Sequence, residues 1–519
     1  MKLKLLLLIL CSACFNLHAQ TISGTVYEDA NKNNKKERRE RGIAGVGVSN
    51  GIDVVVTDKN GRYTLPVGED NIIFVIKPSG YEVPSNAMRQ PQFYHIHKPK
   101  GSPAEFKYPG VEPTGKLPAS LDFPLIPAED ELQFSAIVFG DPQPYTKEEV
   151  DYFDRGIVNE LTGISGYRFG ISLGDIVGDD LNLHQPYIES VSRIGIPWYN
   201  VLGNHDLNYD ATADSLSDET FERNFGPVNY SYNYGKAHFL ILDDVLYPDP
   251  RDNRGYYGGF RPGQMAFIRN NLALVPKDRL VVLAFHIPLN NPESNFRPED
   301  RKELFELLKD FQNVLILSAH THLQRNDLFT GEDGWEGKRP LHEYNAGTTS
   351  GDWYSGLPDS NNVPVAVMRD GTPKGYAFLN INGNEYTIDY KVAGSPASRQ
   401  MDIHGPRVIQ ERRRTSARFY VNFYMGRPNS DVQIRIGEGE WQKMNFISAA
   451  DPLYTGRLFE WDTSDTLLPY RRPSVPVNRT HLWWAPVPAT LDAGHYKVEV
   501  KAVDLFGRSF SGFHDLKVR

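Results

Sequence analysis

The sequence predicts an α/β centre held between two all-β ends. Three observations carry that reading. Short alternating apolar runs broken by turn dipeptides occupy residues 21–127, apolar strand-like runs alternate with amphipathic helical stretches over 128–395, and the short alternating pattern returns over 396–519. A chain of 519 residues has material for three to four domains, so a single small domain is excluded.

At the N-terminus, Lys2 and Lys4 precede a short apolar run from Leu5 to Leu10, and Ala13 and Ala19 follow before the chain turns polar. This reads as a signal peptide over residues 1–20, removed near Ala19 or Gln20, and predicts an exported protein, periplasmic or secreted. The run is too short to span a bilayer, which takes ~20 apolar residues, and no later segment qualifies, so no transmembrane segment is expected. The only cysteines, Cys11 and Cys14, lie inside this leader, so the exported chain is expected to fold without a disulfide. A lipoprotein acylated at Cys14 is the competing reading, weakened by Cys11 standing where an aliphatic residue is expected.

From 21 to 127, the runs Ile52–Thr57 and Gly61–Val67, with turns at Asn60-Gly61 and Pro78-Ser-Gly80, predict a small Ig-like β-sandwich. The proline-punctuated stretch 99–127 shows neither strand nor helix period and reads as a linker. In the centre, Phe134–Phe139 and Phe169–Leu173 read as buried strands flanking a helix through Val150, Phe153, Ile157, Val158 and Leu161. Toward the C-terminus, Ala417–Tyr424, Val432–Ile436 and Tyr496–Val503 predict strands of a second sandwich. The net charge of -9 argues against a general nucleic-acid binder, which needs concentrated Lys and Arg. No nucleic acid is expected as a partner.

Five short motifs follow strand-like runs in the central region: Gly140-Asp-Pro-Gln143, Gly174-Asp175, Gly203-Asn-His-Asp206, Phe285-His286 and Ala319-His-Thr-His322. Side chains at the C-terminal ends of parallel strands converge in one crevice. Carboxylate, carboxamide and imidazole donors together suit divalent Mn, Fe, Zn or Co better than Mg or Ca.

The ordered set resembles the calcineurin-like metallophosphoesterases. The resemblance implies an αββα core of two packed mixed sheets, and it extends through Ser217–Pro227 and Gly371–Tyr376 toward secreted bacterial members with three domains. It assigns Asp141, Gln143, Asp175 and His322 to one divalent metal, and Asp175, Asn204, His286 and His320 to a second. His205 becomes the leaving-group histidine, with Asp206 expected to orient it. Two departures from the family pattern are Gln143 where His is often found and Ala319 where Gly is usual. The expected function is hydrolysis of a phosphate mono- or diester of a small phosphorylated substrate: two cations clamp the anionic ester and acidify a bridging water, which attacks phosphorus in line.

Gly170-Ile-Ser-Leu-Gly174 matches the nucleophile-elbow pattern, but Ser172 falls inside a strand run rather than at its turn. The loop Asn345–Gly356 reads as part of a pocket, with Asp352, Trp353 and Tyr354 as candidate substrate contacts; Asp243–Gly263, with Tyr247, Arg251, Arg254, Tyr256 and Tyr257, reads as the opposite rim. Asp29, Asn31, Asn33, Glu37 and Glu40 carry the 1-3-5-9-12 spacing of a structural calcium loop, with Asn34 where Gly is usual, and the flanking sequence resembles calcium-binding B-type repeats. A solvated loop needing no ion competes with it. In the C-terminal region Trp441, Trp461 and His481-Leu-Trp-Trp484 suit core packing or carbohydrate stacking, and Arg471-Arg472 reads as solvated or interdomain. The rival to an enzyme is a non-catalytic surface or carbohydrate-binding protein built on a degenerate phosphoesterase scaffold, against which the retained donor set speaks.

Overall fold

The computed structural model describes residues 20–290 and 295–519. The predicted signal peptide, with Cys11 and Cys14, lies outside the described residues apart from Gln20.

The N-terminal part is two four-stranded sheets. One runs in the order Arg62–Val67, Gln20–Glu28, Phe123–Pro127, Tyr81–Glu82; the other runs Val54–Val56, Gly47–Ser49, Asn71–Val75, Tyr94–His97. Strict alternation drives the packing: along Arg62–Val67 every second residue is buried, and Val26, Leu65, Val48 and Phe74 of the two sheets are all buried in the core. The proline-rich stretch ends differently from the expected linker. Phe123–Pro127 pairs in parallel with Gln20–Glu28, burying Phe123 and Leu125 while Pro124 and Pro127 stay outside the core, so the period of two is present but masked by the prolines. Residues before it lie on the central domain, where Asn208 Nδ2 donates to the Tyr108 carbonyl and Asp210 accepts from the Lys107 amide at 2.6 Å.

Among the described residues the two large mixed sheets of the centre hold eleven strands: β1 (Gln133–Phe139), β2 (Tyr167–Leu173), β3 (Trp198–Val201), β4 (Tyr230–Tyr234), β5 (Ala237–Ile241), β6 (Leu280–Ala284), β7 (Asn313–Ser318), β8 (Arg325–Phe329), β9 (Leu341–Asn345), β10 (Gly375–Asn382) and β11 (Glu385–Val392). The first sheet has the order β3-β2-β1-β10-β11 and the second β4-β5-β6-β7-β9-β8. Within them β1, β2 and β3 are mutually parallel, as are β5, β6, β7 and β9. Strands covered on both faces lose the alternating pattern, and every residue of β6 and β7 is buried. The sheets meet through an aromatic layer in which Phe169 of β2 packs on Tyr234 of β4 and Phe239 of β5, with ring centroids 5.0 and 5.1 Å apart.

The predicted helix is present as a continuous helical run from Lys147 to Leu161, with a π-helical stretch at Asp154–Val158. The Thr146 side chain caps it by accepting from the Glu149 amide, and Phe153, Ile157, Val158 and Leu161 face the sheet.

The C-terminal part is again two sheets, Met401–His404, Arg418–Phe423, Leu482–Pro486, Asn445–Phe446 and Val408–Ile409, Ser509–Val518, Gly494–Val503, Val432–Ile436, Gln442–Lys443. Trp483 fills its core, whereas Trp484 lies under Arg418 and Trp441 under Arg435 and Lys501. The sequence reading omitted the helix Pro452–Asp462, which Asp451 caps by accepting from the Tyr454 amide. Among the described residues no helix is long and apolar enough to cross a membrane.

Candidate metal centre

The parallel strands deliver their side chains to one end of the two sheets. Asp141 and Gln143 follow β1, Asp175 follows β2, Asn204 follows β3, His286 follows β6, and His320 and His322 follow β7. Asp141, Gln143, Asp175, His320 and His322 all have positive φ, between 23° and 68°. Non-glycine residues held there are strained, and such strain persists only where the surroundings over-determine the backbone.

Two glycines show how tightly the loops close. A Cβ on Gly203 would sit 2.0 Å from the Asp175 amide nitrogen, and one on Gly174, itself at φ +90°, would sit 2.4 Å from His286 Nδ1. The glycines of Gly-Asp and Gly-Asn-His-Asp are therefore the space into which neighbouring donor residues fit. Behind them, the loop after β9 braces the first motif: Ser350 Oγ donates to the Asp141 carbonyl at 2.7 Å and the Thr349 amide to Gly140 at 2.8 Å.

Asp175, His286 and His320 bring ligand atoms within 4.8 Å of one another. His286 Nε2 lies 3.2 Å from Asp175 Oδ1, 3.1 Å from Asn204 Oδ1 and 3.1 Å from His320 Nδ1, while its Nδ1 faces the Leu173 carbonyl at 2.8 Å. On the other side of Asp175, Gln143 Nε2 is 3.2 Å from Oδ2, and His322 Nε2 is 3.6 Å from Asp141 Oδ2. Six of the seven predicted donor side chains are buried, and His320 is half-buried.

This arrangement fits cations. His322 Nδ1 is 3.0 Å from the Gly351 carbonyl and so carries the ring proton, which leaves the Nε2 lone pair facing an Asp141 oxygen. Two lone-pair atoms facing each other in a buried space need a positive charge between them. Gln143 Oε1 is buried and has no hydrogen-bond partner. Burial lowers His320 and His322 to about 3, the neutral state in which imidazole is a metal ligand. Burial also acts to lower His286, but the adjacent Asp175 and Asp141 carboxylates push it up to about 10, so without metal a proton there supplies the missing charge. Burial raises Asp141 to about 8, whereas for Asp175 burial is outweighed by His286 and His205, which hold it well below the usual carboxylate range.

His205 stands at the mouth of the cluster, its side chain one-quarter exposed. Its amide donates to Asp175 Oδ1 at 2.9 Å, and its Nδ1 lies 2.6 Å from Asp179 Oδ1. Burial lowers this imidazole, but Asp175 and Asp179 overcome it and push it up to about 9. Asp206 does not orient His205 as expected. Its carboxylate is fully buried and accepts from the amides of Gly203, Ile176 and Val177, tying two donor loops together. Asp179 was missed because it lies four residues beyond Asp175 in a loop with no pattern of its own; the run Gly178-Asp-Asp180 was the available signal.

The expected substrate loop divides. Tyr354 is buried with its hydroxyl on the Pro142 carbonyl at 2.6 Å, and Asp352 is buried with Oδ2 accepting from Ser355 Oγ and the Ser474 amide, so both are structural rather than cleft-facing. Trp353 alone remains at the site, stacked on His322 with ring centroids 4.2 Å apart. On the opposite rim Tyr256 meets His320 edge-on at 5.8 Å, but Arg251 pairs with Asp249 and packs on Tyr257 instead of facing the cluster. Ser172 is closed inside β2 against Tyr187 and Trp198, which excludes it as a nucleophile.

The calcium-type loop is folded on itself by its own hydrogen bonds, with the Asn33 amide also donating to Asn31 Oδ1 and the Glu37 amide to Glu40 Oε2. The Asp29 carboxylate accepts from the Asn33 and Asn34 amides, the Asn33 side chain donates to Glu37, and Lys36 places its ammonium on the Glu37 and Glu40 carbonyls. Asp29, Glu37 and Glu40 form no convergent group of carboxylates among the described residues.

Three family models match the chain: "N terminal of Calcineurin-like phosphoesterase" over 30–111, "Calcineurin-like phosphoesterase" over 136–324 and "C terminal of Calcineurin-like phosphoesterase" over 343–510. The chain belongs to the calcineurin-like phosphoesterases. Membership makes this three-part phosphoesterase a phosphoester hydrolase by family and implies divalent metal ions, and the central match spans every donor motif from Asp141 to His322. Among solved structures, the phosphoesterase is similar to a purple acid phosphatase isolated from yellow lupin (Lupinus luteus) seeds, at 11% identity and a TM-score of 0.36, covering 72% of this chain and 67% of that one. No curated protein matches the phosphoesterase.

Proposed function

We propose that this phosphoesterase is an exported enzyme that hydrolyses a phosphate mono- or diester at a two-metal centre. The reading is carried by the position of Asp175, whose two oxygens face opposite donor groups: Oδ1 toward His286 and Oδ2 toward Gln143, each at 3.2 Å. Asp141, Gln143, Asp175 and His322 would hold one divalent ion, and Asp175, Asn204, His286 and His320 the other. Bound there, such ions supply Lewis acidity to phosphate oxygens and lower the pKa of water for attack on phosphorus.

The chain's own residues do the rest. His205, with Nδ1 held by Asp179, presents Nε2 to the leaving oxygen and delivers a proton to it as the ester bond breaks. Asp206 keeps the Asp175 and Asn204 loops in register through its three backbone amides. Trp353 packs the His322 ring and keeps bulk water from that side. The leader peptide over residues 1–20 supports export.

The test is metal content and aryl phosphate turnover on the purified full chain. About two equivalents of transition metal and turnover abolished by chelator are expected; pure protein with neither metal nor turnover would point to the binding-protein alternative.

A further inference from the structure

The Trp353 ring that stacks on His322 also carries two guanidinium groups, Arg369 with Cζ 5.7 Å and Arg471 with Cζ 5.4 Å from its centroid. They reach it from opposite parts of the chain. Arg369 lies in the connection between β9 and β10, and Arg471 lies in the C-terminal segment after the helix Pro452–Asp462. Arg369 Nη2 donates to the carbonyl of Thr321, the residue between His320 and His322, at 3.1 Å. Its Nε is buried and has no partner.

Neighbouring Arg472 is neutralised by Asp462, with both oxygens at 2.7 Å from the guanidinium. Among the described residues neither Arg369 nor Arg471 has such a paired carboxylate; Glu149, whose charge acts on Arg471, turns Oε2 onto the Tyr145 amide. Arg369 keeps a desolvated N–H that an anion would satisfy, and the exposed Arg471 keeps its guanidinium donors open on the same ring. Planar guanidinium forks are the side chains suited to carboxylate or phosphate oxygens.

Their placement is built rather than incidental. The Gly356 amide donates to the Arg471 carbonyl at 2.9 Å, and the Val477 amide to the Arg369 carbonyl at 3.1 Å, so backbone from the C-terminal part is fastened to both sides of the Trp353 loop. Beneath them His481 Nε2 lies 3.2 Å from Asp370 Oδ2, and the buried Arg479 pairs with Asp451 at 2.7 Å.

We propose that Arg369 and Arg471 form an anion subsite that selects phosphoesters whose leaving portion carries a second negative charge, a carboxylate or a further phosphate. The proposal rests on the phosphoesterase reading above and adds to it a substrate class. It also gives the C-terminal part a direct role in specificity, since Arg471 belongs to it. Trp353 serves as the shelf that sets the spacing between His322 and the two cations.

The experiment compares kcat/KM on metal-loaded full chain for 3- and 4-carboxyphenyl phosphate with that for the matching uncharged carbamoylphenyl phosphates. The wild type should prefer at least one carboxylate isomer, and Arg471→Ala and Arg369→Met should each cut that preference roughly tenfold. Arg471→Lys should keep part of it, and Arg472→Ala, whose partner is Asp462, should leave it unchanged. Because Arg471 is exposed, its variants test the idea even if Arg369→Met fails to fold. A wild-type ratio near one for both isomers, or an equal loss on charged and uncharged esters in Arg471→Ala, overturns the subsite and leaves the phosphoesterase standing. Absence of turnover on all the esters in metal-loaded wild type overturns both.

Discussion

Asp179 Oδ1 lies 2.6 Å from His205 Nδ1, so the histidine that follows the donor Asn204 is held by a carboxylate from the neighbouring loop and not by the aspartate next to it in sequence. The division of labour is physical. Asp206 is enclosed by three amides and the His184 ring, whereas Asp179 is half-exposed at the rim, where a side chain can steer an imidazole toward a bound ester.

His205→Ala should lower turnover roughly 10²–10⁴-fold while metal content stays intact, because proton donation contributes about that much. Esters with acidic leaving groups should lose less than esters with basic ones. Asp179→Asn should show the same leaving-group dependence with a loss of roughly tenfold, since it removes the orienting charge but not the imidazole. The check is a plot of kcat against leaving-group pKa for the three proteins; an unchanged slope in both variants would exclude the donor role.

Asp175→Asn should cost metal occupancy and turnover together. The substitution removes the negative charge whose two oxygens face the two donor groups, while Asp141, His286, His320 and His322 remain. Elemental analysis beside an aryl phosphate assay checks it, and wild-type-like turnover in this variant would refute the two-metal reading.

Gly203→Ala should impair the site without any change in its chemical groups. The added carbon would sit 2.0 Å from the Asp175 nitrogen and 2.4 Å from its Oδ1, so the Asp175 or Asn204 loop must shift. Misplacement of catalytic groups by about 1 Å costs roughly 10²-fold in rate, and a loss of that order with retained folding by circular dichroism is expected.

Acid should loosen the C-terminal part through Asp370. Burial raises its carboxyl, but the hydrogen bond and charge of His481 outweigh burial and bring it down to about 2. A carboxylate whose folded value lies below its unfolded value of ~3.9 adds stability above that value and loses it as pH falls toward 2. The contribution is about 2 kcal/mol at neutral pH. Asp370→Asn should therefore lower the melting midpoint at pH 7 and narrow its gap to wild type between pH 4 and 2; a gap constant over that range would show that the pair is not what holds the carboxylate ionised.

The donor motifs were legible in sequence because each is local: a buried apolar run, a glycine that leaves space, then the donor. The fully buried strands β6 and β7 and the alternating Arg62–Val67 were legible for the same reason, since burial on one or two faces writes its own period into the chain. Trp483 as core followed from its setting, and Ser172 was already misplaced for an elbow. What sequence could not supply was every relation made across loops. The strand Phe123–Pro127 hides behind prolines, and its partner Gln20–Glu28 is about a hundred residues away. Asp179 takes over from Asp206, and Arg471 reaches a ring more than a hundred residues distant, because side-chain direction depends on how loops pack and spacing along the chain does not encode it. Sequence alone determined the family and pointed to its donor set; tertiary structure decided which carboxylate holds the histidine, and which arginines lie against Trp353 beside the site.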